Sequence, residues 1–114
     1  MDLSHRVFGN AIIVAPAGRI DQSSAEDFQS ALAPYLADCR KDCAPMVLDL
    51  SAVEYISSVG LRVLMLAARQ VKAQEGQIAI AALQPVVREV FEISRFDLVF
   101  KVFADIEAAS GSFS

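Results

Sequence analysis

The feature that most constrains the fold is a short apolar segment followed by a long helical one. Residues 46–50, Met-Val-Leu-Asp-Leu, form a nearly continuous apolar run, which is typical of a strand covered on both faces. Residues 59–75 contain no proline, are rich in Leu, Ala, Arg and Gln, and precede Gly76, which suits the left-handed position that ends a helix. A second β-like run, residues 77–83, comes next. Because strands that alternate with helices usually lie parallel, this order predicts a parallel α/β unit.

The segment before this unit predicts a β-hairpin. Residues 5–8 and 11–17 are short, apolar and β-rich, and Gly9-Asn10 between them is a two-residue turn signal. The segment after the unit predicts a helix, a strand and a short terminal helix. These are a helix over residues 85–94 with proline in its first turn, a strand over residues 98–103, and a helix capped by Asp105.

A further helix is predicted between the hairpin and residues 46–50. Ser23 and Glu26 have the spacing of a capping box, which satisfies free N–H groups at a helix start. Pro34 removes a backbone hydrogen bond within this helix, so we expect a kink or an early end there. The apolar face of the helix consists of Phe28, Leu32 and Leu36.

The predicted order of elements is β-β-α-β-α-β-α-β-α. This order predicts the α/β class, with a mixed, mostly parallel sheet of about five strands and helices packed on it. We expect residues 1–109 to form a single domain and residues 110–114, which contain Ser and Gly, to form a flexible tail.

The high hydrophobic content raises the question of whether the chain has a membrane-spanning helix. Hydrophobic residues make up 54% of the 114 residues and the mean hydropathy is +0.42. The longest stretches without a charged residue or histidine are twelve residues, whereas a spanning helix needs about twenty. The first fifteen residues show no signal peptide. We therefore expect a cytoplasmic protein with no direct membrane insertion.

The charge distribution argues against nucleic acid as a partner. Residues 1–58 hold four Lys or Arg against eight Asp or Glu, and residues 59–114 hold six of each. Binding to phosphate groups requires a clustered excess of basic residues, which this chain lacks. Cys39 and Cys43 have no third ligand nearby, so we expect free thiols and no metal site.

Ser57 and Ser58 stand where the buried strand gives way to the long helix, and three interpretations compete for them. In the first interpretation, one serine is the N-cap of the helix, and its capping hydrogen bond stabilises the fold by about 1 kcal/mol relative to alanine. A nucleophilic serine is disfavoured because the elbow pattern needs Gly where Ile56 stands and because His5 is the only histidine. A phosphate-binding loop would need more glycines and a lysine. The third interpretation is a modified serine, since a helix start tolerates an attached phosphate.

Two motifs carry a resemblance to a known family. They are Gly18-Arg19-Ile20-Asp21 and residues 47–64, Val-Leu-Asp-Leu-Ser-Ala-Val-Glu-Tyr-Ile-Ser-Ser-Val-Gly-Leu-Arg-Val-Leu. Both motifs resemble the STAS domain of bacterial anti-sigma-factor antagonists, and the element order matches over the whole chain. In that family the serine two positions before the Gly-Leu pair is phosphorylated, which corresponds to Ser58. The resemblance also implies that Asp21 lies beside this acceptor.

The resemblance implies partners as well. Unphosphorylated antagonists bind an anti-sigma factor, a serine kinase with a histidine-kinase-like ATP-binding fold, and so release a sigma factor. Phosphorylation ends this binding, and a metal-dependent serine phosphatase restores it. The protein is then a regulator, with no catalytic residues and no cofactor. The alternative is a constitutive, unphosphorylated STAS scaffold subunit of a lipid-transport or signalling complex.

Two positions depart from the strict pattern of the family. That pattern has Asp before the acceptor and Ser or Thr after it, whereas this chain has Ser57 and Val59. Ser57 is therefore a second candidate acceptor.

The long helix carries two apolar stripes, of which only one can face the sheet. Leu61, Leu64, Met65, Ala68 and Val71 form the longer stripe, which we assign to the core. The second stripe consists of Val59, Val63 and Leu66, and we expect it to face outward as a docking surface unless another part of the chain, such as the terminal helix, covers it. The predicted partner-binding residues are Asp21, Ser57, Ser58, Val59, Arg62, Val63, Leu66 and Arg69.

Overall fold

The structure, a computed structural model, describes residues 3–113. It contains seven strands, four α-helices and one 3₁₀ helix within that range. The strands are β1 (Leu3–Phe8), β2 (Ala11–Pro16), β3 (Gly18–Ile20), β4 (Met46–Asp49), β5 (Val53–Ile56), β6 (Ile78–Ala81) and β7 (Val102–Phe103). The helices are α1 (Ala25–Ala37), α2 (Ser58–Ala73), α3 (Pro85–Ile93), the 3₁₀ helix (Phe96–Leu98) and α4 (Ile106–Gly111).

Five strands form the main sheet, in the order β1-β2-β4-β6-β7. β1 is antiparallel to β2, and the other neighbouring pairs are parallel. The main buried cluster includes residues from α1 and α2 together with alternate residues of β2, β4 and β6, while α4 packs against β4, β6 and β7. The predicted mixed, mostly parallel sheet of five strands is thus confirmed.

β3 and β5 form a separate two-stranded parallel ladder that the sequence did not predict. The sequence indicated a break near Gly18 and a plain connection over residues 51–58. The two short segments pair with each other across more than thirty residues of chain, with Arg19 opposite Tyr55 and Ile20 opposite Ile56. Gly18 has a φ of +93°, which lets the chain turn from β2 into β3.

The start and end of α1 differ from the prediction. The residue before the helix is Ser24, whose hydroxyl makes no capping bond, and Ser23 hydrogen-bonds Asp21 instead, so the predicted capping box is wrong. The expected early end at Pro34 is also wrong, because α1 continues to Ala37. Pro34 is exposed, and the helix tolerates the lost hydrogen bond because its buried face holds it against α2.

The end of α2 also differs from the prediction. The helix ends at Ala73, and the left-handed residue that follows is Glu75, with a φ of +60°. Gly76 serves a different purpose, because a Cβ atom there would collide with the backbone of Cys39. The Gln74 side chain donates hydrogen bonds to the carbonyl oxygens of Leu36 (2.8 Å) and Cys39 (2.9 Å). These bonds tie the carboxyl ends of α1 and α2 together.

The predicted strand over residues 98–103 is mostly wrong. Only Val102 and Phe103 pair with β6, because Leu98 belongs to the 3₁₀ helix, where it is exposed, and residues 99–101 form an irregular connection. Asp105 caps α4 as predicted, since its side chain accepts a hydrogen bond from Ala108 N.

Residues 110 and 111 belong to α4, whereas the sequence analysis assigned them to the tail. Ser110 is buried, and its hydroxyl donates to the Phe8 carbonyl, which holds the helix against β1. Residue 114 lies outside the described residues. Among residues 3–113, no helix is long and apolar enough to cross a membrane.

Candidate functional site

The site lies where β3 and β5 end side by side. Because the two strands are parallel, their carboxyl ends meet at one edge, and Ser57 N donates a 2.9 Å hydrogen bond to the Ile20 carbonyl. Asp21 follows Ile20, and Ser58 follows Ser57 at the start of α2. The β3–β5 ladder, which was not predicted from the sequence, therefore brings the two motifs to the same edge of the fold.

Ser57 is the N-cap of α2. Its backbone is extended, and its hydroxyl accepts a 3.3 Å hydrogen bond from Gly60 N. This bond satisfies one of the N–H groups that a helix start leaves without a partner. The capping interpretation therefore applies to Ser57, and the fold already uses its hydroxyl.

Ser58 is the first residue of α2, and its side chain is exposed. Within residues 3–113, no hydrogen bond engages the Ser58 hydroxyl. The first turn of the helix contains no acidic residue, so the positive end of the helix dipole beside Ser58 is not neutralised by its own helix. The exposed Ser58 hydroxyl therefore lies at a helix start, where the local electrostatic potential favours an attached anion such as phosphate.

Gly60 allows α2 to start this close to the ladder. A Cβ atom at this position would lie 2.7 Å from Ile20 Cγ2 and 2.8 Å from both the Ile20 carbonyl oxygen and Ile56 Cγ1. Any larger residue would therefore push the start of α2 away from β3 and β5. Gly60 thus fixes where Ser58 lies relative to Asp21.

The Asp21 carboxylate is held by its own turn. Oδ1 accepts hydrogen bonds from the Ser23 hydroxyl (2.7 Å) and the Ser23 amide (3.0 Å), and Oδ2 lies 3.5 Å from Arg19 Nε. The Ser23 hydroxyl is the largest influence that holds the pKa of Asp21 below its ordinary value of 3.8, with smaller contributions from the Ser23 amide, Arg19 and Ser24. Asp21 therefore carries a full negative charge at this edge at neutral pH.

Arg19 and Tyr55 form a feature that the sequence analysis missed. The Arg19 guanidinium lies 4.5 Å from the centre of the Tyr55 ring, which is cation–π distance. Both residues occur in the motifs that carry the family resemblance, but their contact depends on the β3–β5 register. The contact between Arg19 and Tyr55 could have been predicted only if the pairing of β3 with β5 had been predicted first.

The outward face of α2 is narrower than predicted. Val59 and Leu66 are each 41% exposed, and Arg62 and Arg69 are exposed beside them. Val63 is 6% exposed, so its predicted outward position is wrong. The buried face of α2 extends far enough around the helix to include Val63, together with the remaining buried positions Gly60, Leu61, Leu64, Ala67 and Val71.

The alternative that the terminal helix covers this face is also wrong. α4 packs against β4, β6 and β7, with Ala109 buried in the small cluster on that side of the sheet. The outward residues of α2 are therefore open to a partner.

The geometry provides no nucleophilic pair at Ser58. His5, the only histidine of the chain, lies on β1, where its Nδ1 is 2.7 Å from the Tyr35 hydroxyl. Over residues 3–113 there is no group of three His, Cys, Asp or Glu side chains that could hold a metal ion. Cys39 is a buried free thiol that donates to the Gln77 carbonyl, and Cys43 is an exposed free thiol. Burial raises the pKa of Cys39, which makes it the less reactive thiol.

Comparison with known proteins identifies the family. The sequence model of the STAS domain matches residues 3–109. The chain belongs to the STAS domain family. A similar curated relative of this STAS domain is BtrV of Bordetella bronchiseptica, named as a candidate anti-sigma factor antagonist. BtrV is 38% identical over 113 residues, which cover 99% of this chain and 95% of the relative.

Solved structures share the fold of this STAS domain. A crystal structure of an anti-sigma factor antagonist from Mycobacterium paratuberculosis superposes with a TM-score of 0.85 at 24% identity, over 97% of this chain and 92% of that one. The Bacillus cell fate determinant SpoIIAA, solved in its phosphorylated form, superposes with a TM-score of 0.69 at 14% identity, over 99% of this chain and 100% of that one. At these identities the similarity concerns the fold alone.

Proposed function

We propose that this STAS domain is an anti-sigma-factor antagonist that phosphorylation of Ser58 switches off. The observation that carries the proposal is the exposed hydroxyl of Ser58 at the start of α2, which makes no hydrogen bond within residues 3–113 and lies next to Ser57, the helix cap. The names of BtrV and of the mycobacterial structure support the same function. That SpoIIAA has been solved in a phosphorylated form supports a fold that accommodates the added group.

The partner in this proposal is an anti-sigma factor that is also a serine kinase with a histidine-kinase-like ATP-binding fold. It transfers the γ-phosphoryl group of ATP to Ser58 Oγ, so that the Oγ–P bond forms, the bond to the β-phosphate oxygen breaks, and ADP leaves with the hydroxyl proton released. A metal-dependent serine phosphatase hydrolyses the phosphoserine and restores the free hydroxyl.

The docking face in this proposal surrounds Ser58. Val59 and Leu66 supply the apolar anchors, and Arg62 and Arg69 supply charges beside them. Asp21 adds a carboxylate at the edge of this face. The proposal requires no global rearrangement of the antagonist, because these residues are already exposed.

The phosphate acts on binding through local repulsion. A phosphoserine carries about −1.5 to −2 charges at neutral pH. At about 6 Å from a partner carboxylate and an effective dielectric constant of about 20, each unit of charge costs on the order of 2 to 3 kcal/mol, or roughly 30- to 150-fold in affinity. The first turn of α2 contains no acidic residue, so the helix dipole favours the same phosphate, whereas the charged Asp21 at the same edge repels it.

The proposal is tested with the cognate anti-sigma factor kinase and ATP. We expect one phosphate on Ser58, located by peptide mass spectrometry, and an affinity at least tenfold lower for the phosphorylated protein, measured by calorimetric titration. Ser58→Ala should bind the kinase and stay unmodified. Ser57→Ala is the matched control, which loses the N-cap but is still phosphorylated at Ser58.

Two results would contradict the proposal. Phosphate on Ser57 alone would move the switch to the other candidate acceptor. Tight binding of a partner by a protein that no kinase modifies would favour the constitutive scaffold subunit instead.

A further inference from the structure

A second concave surface, which we call the β6 groove, lies at the carboxyl end of α2. It is a cavity of about 630 Å³ between that end of α2, the start of β6, the segment after the 3₁₀ helix, and the last residues of the described chain. Ser58 lies at the other end of the 16-residue helix, about 24 Å away along its axis. The β6 groove is therefore a different surface from the face around Ser58 proposed to bind the anti-sigma factor, although the two adjoin at Arg69.

The floor of the β6 groove is a strand edge that β7 leaves open. The Gln77 carbonyl accepts a hydrogen bond from Met46 N in β4, and the Ala81 carbonyl accepts one from Leu50 N, just after β4. Backbone groups of successive residues in a strand point to opposite sides, so those of Ile78 and Ile80 point away from β4. On that side Ile80 N donates to the Lys101 carbonyl, and strand pairing with β7 also begins at Ile80. The backbone N–H and C=O of Ile78 therefore face the groove, as at an edge strand.

The walls of the β6 groove combine apolar and positively charged side chains. Leu98 is 76% exposed and Val99 is 37% exposed on one wall. Among residues 3–113, three cations line the groove against one carboxylate, in a chain whose net charge is −4. These cations are Arg69, Lys72 and Lys101, and the carboxylate is Glu75.

We propose that the β6 groove binds an extended acidic peptide segment of a partner protein by strand addition. The open backbone groups of Ile78 would pair with the backbone of the peptide, in line with β7. Alternate side chains of an added strand point to opposite sides, so apolar ones would contact Leu98 and Val99 while acidic ones would meet the cations. An acidic segment fits because the groove is a locally basic site on an acidic domain.

The probe for this proposal is a fluorescein-labelled, capped heptapeptide, Glu-Val-Asp-Val-Glu-Val-Asp. We expect fluorescence anisotropy to show binding that weakens as salt is raised, because exposed charges are screened. Chemical shifts should move at Ile78, Ala79 and Lys101, and the Ile78 amide should exchange more slowly. The same peptide with Lys in place of each acidic residue should bind at least about tenfold more weakly.

Two sets of variants separate charge from backbone pairing. The double variant Lys72→Glu and Lys101→Glu should lose roughly tenfold or more in affinity, whereas the double variant Arg6→Glu and Arg88→Glu, an equal charge change outside the groove, should not. Peptides N-methylated at the odd or at the even residues should differ strongly in affinity, since only one edge of an added strand meets β6. Circular dichroism checks that each variant is folded.

Several results would overturn the proposal. These are no binding of the probe at millimolar concentration, equal affinity of both N-methylated peptides, or shifts confined to the Ser58 end of α2. A dimer in sedimentation analysis, with the Ile78 amide protected in the absence of peptide, would assign the groove to a second copy of the chain. Ser58→Asp should bind the probe as the parent does, so a failed phosphorylation switch and a failed groove are distinguishable.

Discussion

Two adjacent serines differ in role because one precedes the helix and the other begins it. The Ser57 hydroxyl accepts from Gly60 N, whereas the Ser58 side chain points to solvent. Asp21 is likewise occupied by its own turn, where the Ser23 hydroxyl and amide bind its carboxylate. At the residue scale, local hydrogen bonds determine which polar groups are left for a partner.

Replacing Asp21 with Asn should change how stability depends on pH. The folded-state pKa of Asp21 is lowered, so its carboxylate stabilises the fold above its ordinary pKa of 3.8, and that contribution is lost as pH falls through the lower folded value. The parent should therefore be more stable than Asp21→Asn near pH 6, and the difference should shrink below about pH 4. Urea unfolding at several pH values measures it, and a difference that is constant with pH would contradict the role of the ionised turn.

At the element scale, α2 connects the two proposed surfaces. Its start is pressed against β3 and β5 at Gly60, and its end is tied to α1 by Gln74. Its outward face carries Val59 and Leu66, and its carboxyl end forms one wall of the β6 groove. The helix therefore positions both surfaces as one rigid element.

Gly60→Ala should destabilise the protein although alanine favours helices. The added methyl group would lie within 2.8 Å of Ile20 and Ile56, and this overpacking outweighs a gain in helix propensity of about 1 kcal/mol. We expect the free energy of unfolding to fall by about 1 to 2 kcal/mol in urea titrations. Gly111→Ala is the control, because a Cβ atom there meets nothing within 4 Å. An equal effect at both glycines would rule out the close approach as the cause.

At the scale of the whole molecule, the two faces of the sheet are covered very differently. α1 and α2 cover one face with large apolar side chains, whereas the six-residue α4 covers part of the other. The residues beneath α4 are mostly small, and they let this short helix pack closely. They are Ala11, Ile13, Val47, Ala79 and Ala81.

Ala109→Glu should test how much α4 contributes to stability. Ala109 is fully buried against the second face, so a carboxylate there would lose its hydration without a partner. We expect a loss of about 2 to 4 kcal/mol, bounded by the free energy with which α4 docks. Ala108→Glu, one residue away and exposed, should change thermal stability very little. Equal melting temperatures for the two variants would mean that α4 is not part of the stable core.

Much of this protein follows from local sequence pattern. The order of the main elements, the hairpin, the start of α3 at Pro85 and the Asp105 cap were all predicted correctly, since each depends on residues close together in the chain. The core assignment of Leu61 and Leu64 follows from helical periodicity alone. The two motifs that resemble the STAS family also lie in continuous segments, so the sequence by itself determined the family.

Tertiary structure decided what depends on distant pairing. β3 and β5 are too short to be recognised separately, and only their mutual pairing brings Asp21 to the edge where Ser58 lies. The burial of Val63 depends on how far the core extends around α2, and the short β7 depends on the 3₁₀ helix before it. The spacing of apolar residues within a segment predicts which face of a helix or strand is apolar. What covers that face depends on segments far away in the chain.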